Sequence, residues 1–265
     1  MLGNIIQGIF AGFLLYESYV RLPQQFLYGS SPTSLPAFNE KSVFIIFPGF
    51  GGPDLNTKRI EEMIKASDAT YSEKRYTATY DWTKWRGNTI RAAFDGEMVG
   101  QLIGKQLKER RDTSRKIQNL HVIGVSVGAF AANACIDEFS KQNMTGIATR
   151  LTLLDPFTCK GLFGQGYGLR RFGVNAKFCE NFFNSDDPVP FTNEPLPHAY
   201  NYDVTESRQR ASFTPLPGDN MHSWPAAFFG LNWKSIDPRN MKNRISSSIY
   251  INSHQKYPRG TLKKL

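Results

Sequence analysis

The run Leu120-His121-Val122-Ile123-Gly124-Val125-Ser126-Val127-Gly128-Ala129 constrains this chain more than any other stretch. The apolar residues up to Val125 suit a short buried strand. Ala129, Ala131, Ala132 and Ala134 suit a closely packed helix. The Gly-x-Ser-x-Gly between them leaves no length for a loop, so the strand must turn straight into the helix with Ser126 at the apex. A serine so placed is held in a strained backbone conformation that pushes its Oγ above the sheet. Gly124 and Gly128 leave room where a Cβ would meet neighbouring backbone. The helix that follows aims its positive end at the same point and favours negative charge there.

Other short apolar runs end in turn residues. Residues 41–47 read as a buried strand closed by Pro48-Gly49-Phe50-Gly51-Gly52-Pro53, and residues 76–82 as a second ending at Asp81-Trp82. After the Ser126 turn come residues 150–154, closed by Asp155-Pro156, and residues 177–183, closed by Asn184-Ser185-Asp186-Asp187-Pro188. Residues 200–205 read as the last strand. Helices are expected over about 56–66 and 89–110, the second with Ala93, Met98, Leu102, Ile103 and Leu107 on one side. Strands alternating with helices predict an α/β class, a mostly parallel doubly wound sheet flanked by helices. Ligands of such sheets bind at the carboxyl ends of the strands, where the Ser, Asp and Gly-rich turns fall. The Gly-rich segment 157–175 reads as a flexible loop or partial lid insertion.

The 265 residues suffice for one such domain with a sizeable core. We divide the chain into an apolar N-terminal helix over 1–27, a Ser/Pro-rich linker over 28–40, the α/β domain over 41–250 and a basic tail over 251–265. Residues 1–16 carry no charged side chain. Leu2, Ile5, Ile6, Ile9, Phe10, Phe13 and Leu14 fall at helical spacing, and Gly8 and Gly12 form a Gly-x-x-x-Gly pair. The run is short for a membrane span and lacks the basic start and cleavage site of a secretory signal. A membrane-associated or core-docked helix is therefore the first reading, ahead of a signal-anchor and a cleaved signal.

The net charge of +9, with basic residues recurring over 105–116 and 256–264, fits an anionic lipid surface, or a merely solvated basic face. No nucleic-acid module is legible, and no nucleic-acid partner is expected. Cys135, Cys159 and Cys179 form no complete disulfide framework, and the Cys and His residues show no metal-ligand spacing. Neither metal nor cofactor is expected. The sequon Asn143-Met144-Thr145 has meaning only in a secretory compartment.

A nucleophilic serine needs a base, an acid to orient that base, and donors for an oxyanion. Three histidines lie downstream of Ser126. His222, in the polar segment Gly218-Asp219-Asn220-Met221-His222-Ser223 after the last expected strand, is the candidate base. His198 precedes that strand and reads as a structural or rim residue, and His254 lies in the tail. His121, on the serine's own strand, reads as a packing or hydrogen-bonding residue. Asp187 is the favoured acid, with Asp155 the alternative one strand earlier. The oxyanion donors are expected to be the backbone N–H of Val127 and that of Phe50, or alternatively Gly51.

Four pieces resemble the lipases and carboxylesterases of the α/β-hydrolase fold: Phe47-Pro48-Gly49-Phe50-Gly51, Tyr80-Asp81-Trp82, the run His121 to Ala129, and Leu154-Asp155-Pro156. Leu-Asp-Pro is similar to pancreatic-type lipases, and Asp187-Pro188-Val189-Pro190 to the acid motif of fungal-type class 3 lipases. The likeness covers residues 41–230 as separate short motifs. Pro48 stands where these enzymes often carry His, Val125 and Val127 flank the serine, and a C-terminal lipid-binding domain of the pancreatic kind is not evident. The resemblance implies a serine ester hydrolase acting through an acyl-enzyme, with a lipid or other apolar ester as substrate. Its rivals are acyl transfer on the same fold and a non-catalytic binding protein that keeps the fold.

Overall fold

Apolar residues line both faces of the central strands, as a sheet covered on two sides requires. The computed structural model describes residues 2–68, 74–89, 91–114, 117–141, 146–237 and 257–265. Seven strands form one parallel sheet: β1 (Ser42–Phe47), β2 (Arg75–Thr79), β3 (Asn119–Val125), β4 (Ala148–Leu154), β5 (Phe178–Phe183), β6 (Tyr200–Asp203) and β7 (Leu262–Lys264). Their order is β2-β1-β3-β4-β5-β6-β7. The order reverses once, between β1 and β3, which makes the sheet doubly wound.

Strand alternation divides the interior into two cores. Val43, Ile45 and Phe47 pack with Val122, Leu151 and Leu153 under α4 (Ala92–Ser114) and α5 (Gly128–Phe139). Phe44, Ile46, Ile123 and Leu154 pack on the other face under α3 (Leu55–Asp68) and α7 (Trp224–Ile236), which contributes Phe228, Phe229 and Trp233. Each such side chain taken fully out of water contributes about 1.5–3 kcal/mol. α3 starts where Asp54 and Thr57 bond reciprocally, Thr57 N–H to Asp54 Oδ1 at 2.7 Å and Asp54 N–H to Thr57 Oγ1 at 2.9 Å.

Several expected elements change at their ends. The second strand stops at Thr79, and Trp82 turns inward, wholly buried, its Nε1–H donating to Pro48 O at 2.9 Å. Residues 200–205 do not form the last strand. Leu262–Lys264 adds β7 beside β6, so the tail supplies a sheet edge. Arg259 docks it by donating to the carbonyls of Gly173 at 2.7 Å and Ala176 at 2.5 Å. Within the Gly-rich segment 157–175 a short helix, α6 (Tyr167–Arg171), forms. Gly168 N–H bonds Thr158 O at 2.8 Å, and Glu97 holds both Lys160 and Tyr167 Oη.

The Ser/Pro-rich stretch is also tied down. Arg110 donates to Leu35 O at 2.8 Å and Pro36 O at 2.9 Å, Tyr80 Oη donates to Thr33 O at 2.6 Å, and Phe38 stacks on Tyr76. Irregular backbone near a core needs such partners. Several arginines are thus internal wiring. Arg91 pairs with Asp95 with both side chains fully buried, and Arg150 forks onto Glu180. The three cysteines are buried free thiols. His254 and the sequon at 143–145 lie outside the described residues.

At the amino end α1 (Leu2–Arg21) joins the body through its last turns, and the short α2 (Gln24–Tyr28) follows it. Val20 is buried, and Arg91 donates to the carbonyls of Tyr19 and Leu22. Ile5, Ile6, Ile9, Phe10, Leu14 and Leu15 are exposed. Phe13 meets Phe163 edge to face at 5.0 Å, so the exposed Leu162 and Phe163 continue the same apolar patch. Among the described residues, no helix is long and apolar enough to cross a membrane.

Candidate active site

The pairings Phe47 with Gly124, Val125 with Leu154, and Leu154 with Phe182 bring the carboxyl ends of β1, β3, β4 and β5 level. Ser126 leaves β3 with φ of 52°. That left-handed conformation costs a non-glycine residue roughly 1–2 kcal/mol. Three backbone bonds hold it: Ser126 N–H donates to Leu154 O at 3.0 Å, and Ser126 O accepts from Ala129 N–H at 3.0 Å and Phe157 N–H at 3.1 Å. The two glycines of the turn serve close approach. A Cβ on Gly124 would lie 2.7 Å from the Ala132 Cβ, and one on Gly128 would lie 2.5 Å from the Pro48 carbonyl oxygen. The Pro48–Phe50 turn abuts the serine, since a Cβ on Gly49 would fall 3.2 Å from the Ser126 Cβ.

His222 stands in a tight turn over Met221–Ser223. Its N–H donates to Asn220 Oδ1 at 2.8 Å, and Asn184 Nδ2 donates to Met221 O at 3.3 Å, which ties the turn to the end of β5. Both candidate acids reach its ring. Asp187 Oδ2 lies 2.6 Å from Nδ1 and Asp155 Oδ2 lies 3.2 Å from the same atom. Asp187 also accepts from Val189 N–H at 3.1 Å and Thr192 Oγ1 at 2.5 Å. Asp155 has φ of 49°, is 1% exposed, and accepts from Asn184 N–H at 3.0 Å through Oδ1. With Nδ1–H bonded to Asp187, Nε2 carries the lone pair. Among the described residues Nε2 is buried without a hydrogen-bond partner, so no Ser126–His222 bond is closed here. Such bonds are often long before substrate binds.

The electrostatics separate the two carboxyl groups. Burial pushes Asp155 up to about 8, with the charge of Asp187 adding to the rise against the pull of His222. Burial also raises Asp187, but bonds from His222 and Thr192 outweigh it and hold that carboxyl below its ordinary range. Burial alone would lower His222; its bonds to Asp155 and Asp187 and their charges raise it to about 9.

Among the described residues, neither the Phe50 nor the Val127 amide meets an acceptor. The Phe50 ring is 36% exposed beneath the Arg86 guanidinium. Phe157 and Phe191 meet edge to face at 5.9 Å. Phe191 has φ of 66°, unusual for so bulky a residue, and its carbonyl accepts from Thr158 N–H at 2.8 Å and Thr158 Oγ1 at 2.9 Å. Phe191, Thr192 and Asn184 escape sequence reasoning, because nothing in their types or spacing marks them.

The other candidates lie elsewhere. Asp186 pairs outward with Arg210 at 2.6 Å. His121 is buried, with Nε2 2.7 Å from Thr152 Oγ1. His198 precedes β6, and its carbonyl accepts from Arg259 at 3.3 Å. One donor atom each from Asp155, Asp187 and His222 lie within 4.8 Å of one another, near enough to hold a metal ion. An ion bound at Nδ1 would have to displace the proton that bonds Asp187.

The parallel strand order and the left-handed serine between β3 and α5, with carboxyl groups after β4 and β5 and an imidazole after β6, define the α/β-hydrolase fold. A protein of Xanthomonas campestris pv. campestris, provisionally assigned as a hydrolase of the alpha/beta superfamily, is similar over 73% of this chain and 99% of its own. The two share 15% identity with a TM-score of 0.37, a likeness too distant to bear on activity or substrate. No family model and no curated protein matches the chain.

Proposed function

We propose that this protein is a serine ester hydrolase acting on apolar, lipid-like esters. The observation that carries the reading is the 2.6 Å contact of Asp187 with His222 Nδ1, which leaves Nε2 as the base on the same sheet edge as the strained Ser126. In this reading Ser126 Oγ attacks the ester carbonyl while His222 Nε2 takes its proton. The Phe50 and Val127 amides receive the oxyanion, and His222 returns the proton to the leaving alcohol. Water then gives a proton to Nε2 as it attacks the acyl-enzyme, the bond from the acyl carbon to Ser126 Oγ breaks as Oγ takes that proton back from Nε2, and the acid departs. Asp187 fixes the tautomer throughout and stabilises the imidazolium.

An apolar substrate is supported by the part-exposed Phe50 on the turn that abuts Ser126, and by Phe157, whose amide bonds Ser126 O and whose ring meets that of Phe191. A lipid surface as partner, with localisation at a membrane, is supported by the uncharged exposed part of α1 and its continuation through Phe163. The exposed cations Arg170 and Arg171 and the net charge of +9 suit anionic headgroups.

A fluorophosphonate probe tests the chemistry. Labelling and p-nitrophenyl ester hydrolysis are expected in the wild type and absent in Ser126→Ala. An unlabelled wild type would favour the non-catalytic reading. Adding an alcohol acceptor and analysing products separates hydrolysis from acyl transfer.

A further inference from the structure

We propose that Asp155 and Asp187 act on His222 as one unit, Asp155 being a second positioning residue able to hold the ring when Asp187 is lost. The inference rests on the serine-hydrolase reading above. A single Nδ1–H faces two carboxyl groups, at 2.6 Å and 3.2 Å. The nearer is the principal acceptor. The farther is aimed there by its backbone. Asp155 N–H donates to Phe182 O at 2.8 Å, its φ is 49°, and Oδ1 takes the Asn184 N–H, so Oδ2 is turned to the imidazole. An ordinary turn or cap carboxyl would have no need of that burial.

Two carboxylates so close to one ring do not both ionise without cost, so the pair keeps a proton until the pH passes about 8. It sits on Asp155, because Asp187 has three donors, from His222, Val189 and Thr192, against two for Asp155. When Asp187 is made neutral, Asp155 releases its proton to solvent and accepts the Nδ1–H bond. The tautomer survives, and Nε2 remains the base.

The test compares Asp155→Asn, Asp187→Asn, the double variant and His222→Ala with wild type, each at its own pH optimum, by kcat/KM on p-nitrophenyl butyrate. Asp187→Asn is expected to lose about 10–100-fold, in kcat rather than KM, and Asp155→Asn less than about 10-fold. The double variant should fall by about 10⁴-fold, to the level of His222→Ala, as when an orienting carboxylate is wholly lost. The low-field proton resonance of Nδ1–H should persist in Asp187→Asn and vanish in the double variant. If Asp187→Asn is already as inactive as His222→Ala, or the double variant is no worse than Asp187→Asn, the proposal is wrong. Asn tolerates a positive φ and keeps the bond to Asn184, so Asp155→Asn should fold. Should it fail to fold, Asp187→Asn against His222→Ala decides alone. A wild type that neither labels nor hydrolyses sinks the hydrolase reading itself; an active wild type with an inactive Asp187→Asn sinks only this inference.

Discussion

Gly128 stands so close to Pro48 that a β-carbon on it would lie 2.5 Å from that residue's carbonyl oxygen. The start of α5, just after Val127, and the turn carrying Phe50 thus meet at a point with no space to spare. Both proposed oxyanion amides flank this contact. Gly128→Ala should push the two apart, costing about 1–3 kcal/mol of stability through overpacking. It should lower kcat/KM by more than about 10-fold, since one such donor supplies about 2.7–4 kcal/mol. Thermal unfolding beside an esterase assay measures both, and unchanged kinetics would detach the turn from the chemistry.

The base must be neutral to accept the serine's proton. With His222 raised to about 9 by its two carboxyl partners, kcat/KM should be low while the ring is protonated and rise through about pH 9. Asp155→Asn removes one of those partners, so its midpoint should move down towards 6.5. A wild-type midpoint at 6.5 or below would contradict the two-carboxyl environment.

Folding stability should depend on pH in a related way. The folded His222 holds its proton above its ordinary 6.5, so the linked stability is full below 6.5 and is lost as pH rises through about 9. Asp155, at about 8 against an ordinary 3.8, works in the same direction, since the native state binds more protons between those limits. The unfolding temperature should therefore fall from pH 6.5 to 9, and less steeply in Asp155→Asn.

Phe191 offers a ring beside Phe157, whose amide is bonded to the nucleophile's carbonyl. Phe191→Ala should reduce kcat/KM for octanoyl esters by about 10-fold relative to acetyl esters, equivalent to losing cover for about two methylenes. Equal losses on both chain lengths would assign the ring to structure rather than to acyl binding.

The patch on α1 makes a separate prediction. Ile9 and Phe10 are 69% and 61% exposed. The pair Ile9→Glu and Phe10→Glu should abolish sedimentation with anionic vesicles and leave hydrolysis of a soluble ester unchanged. Binding that survives both charges would exclude α1 as the contact.

Much of this was readable before folding. The elbow around Ser126, the parallel sheet and the placement of His222 after the last core strand follow from residue type and order. So does the candidacy of both Asp187 and Asp155. The tail strand was not legible, because Leu262–Lys264 has neither the length nor the alternation of a strand and gains its form by pairing with β6. The Ser/Pro-rich stretch read as a linker because its composition is that of one; Arg110 and Gln106, some 70 residues away, hold it.

What the linear chain determined by itself is local: a serine between two glycines at a strand end turns sharply, and short apolar runs closed by turn residues form buried strands. What the tertiary structure alone decided is convergence. Whether Asp155 or Asp187 reaches the imidazole depends on strand register and loop path, and the answer, that both do, comes from long-range geometry that no spacing along the chain encodes.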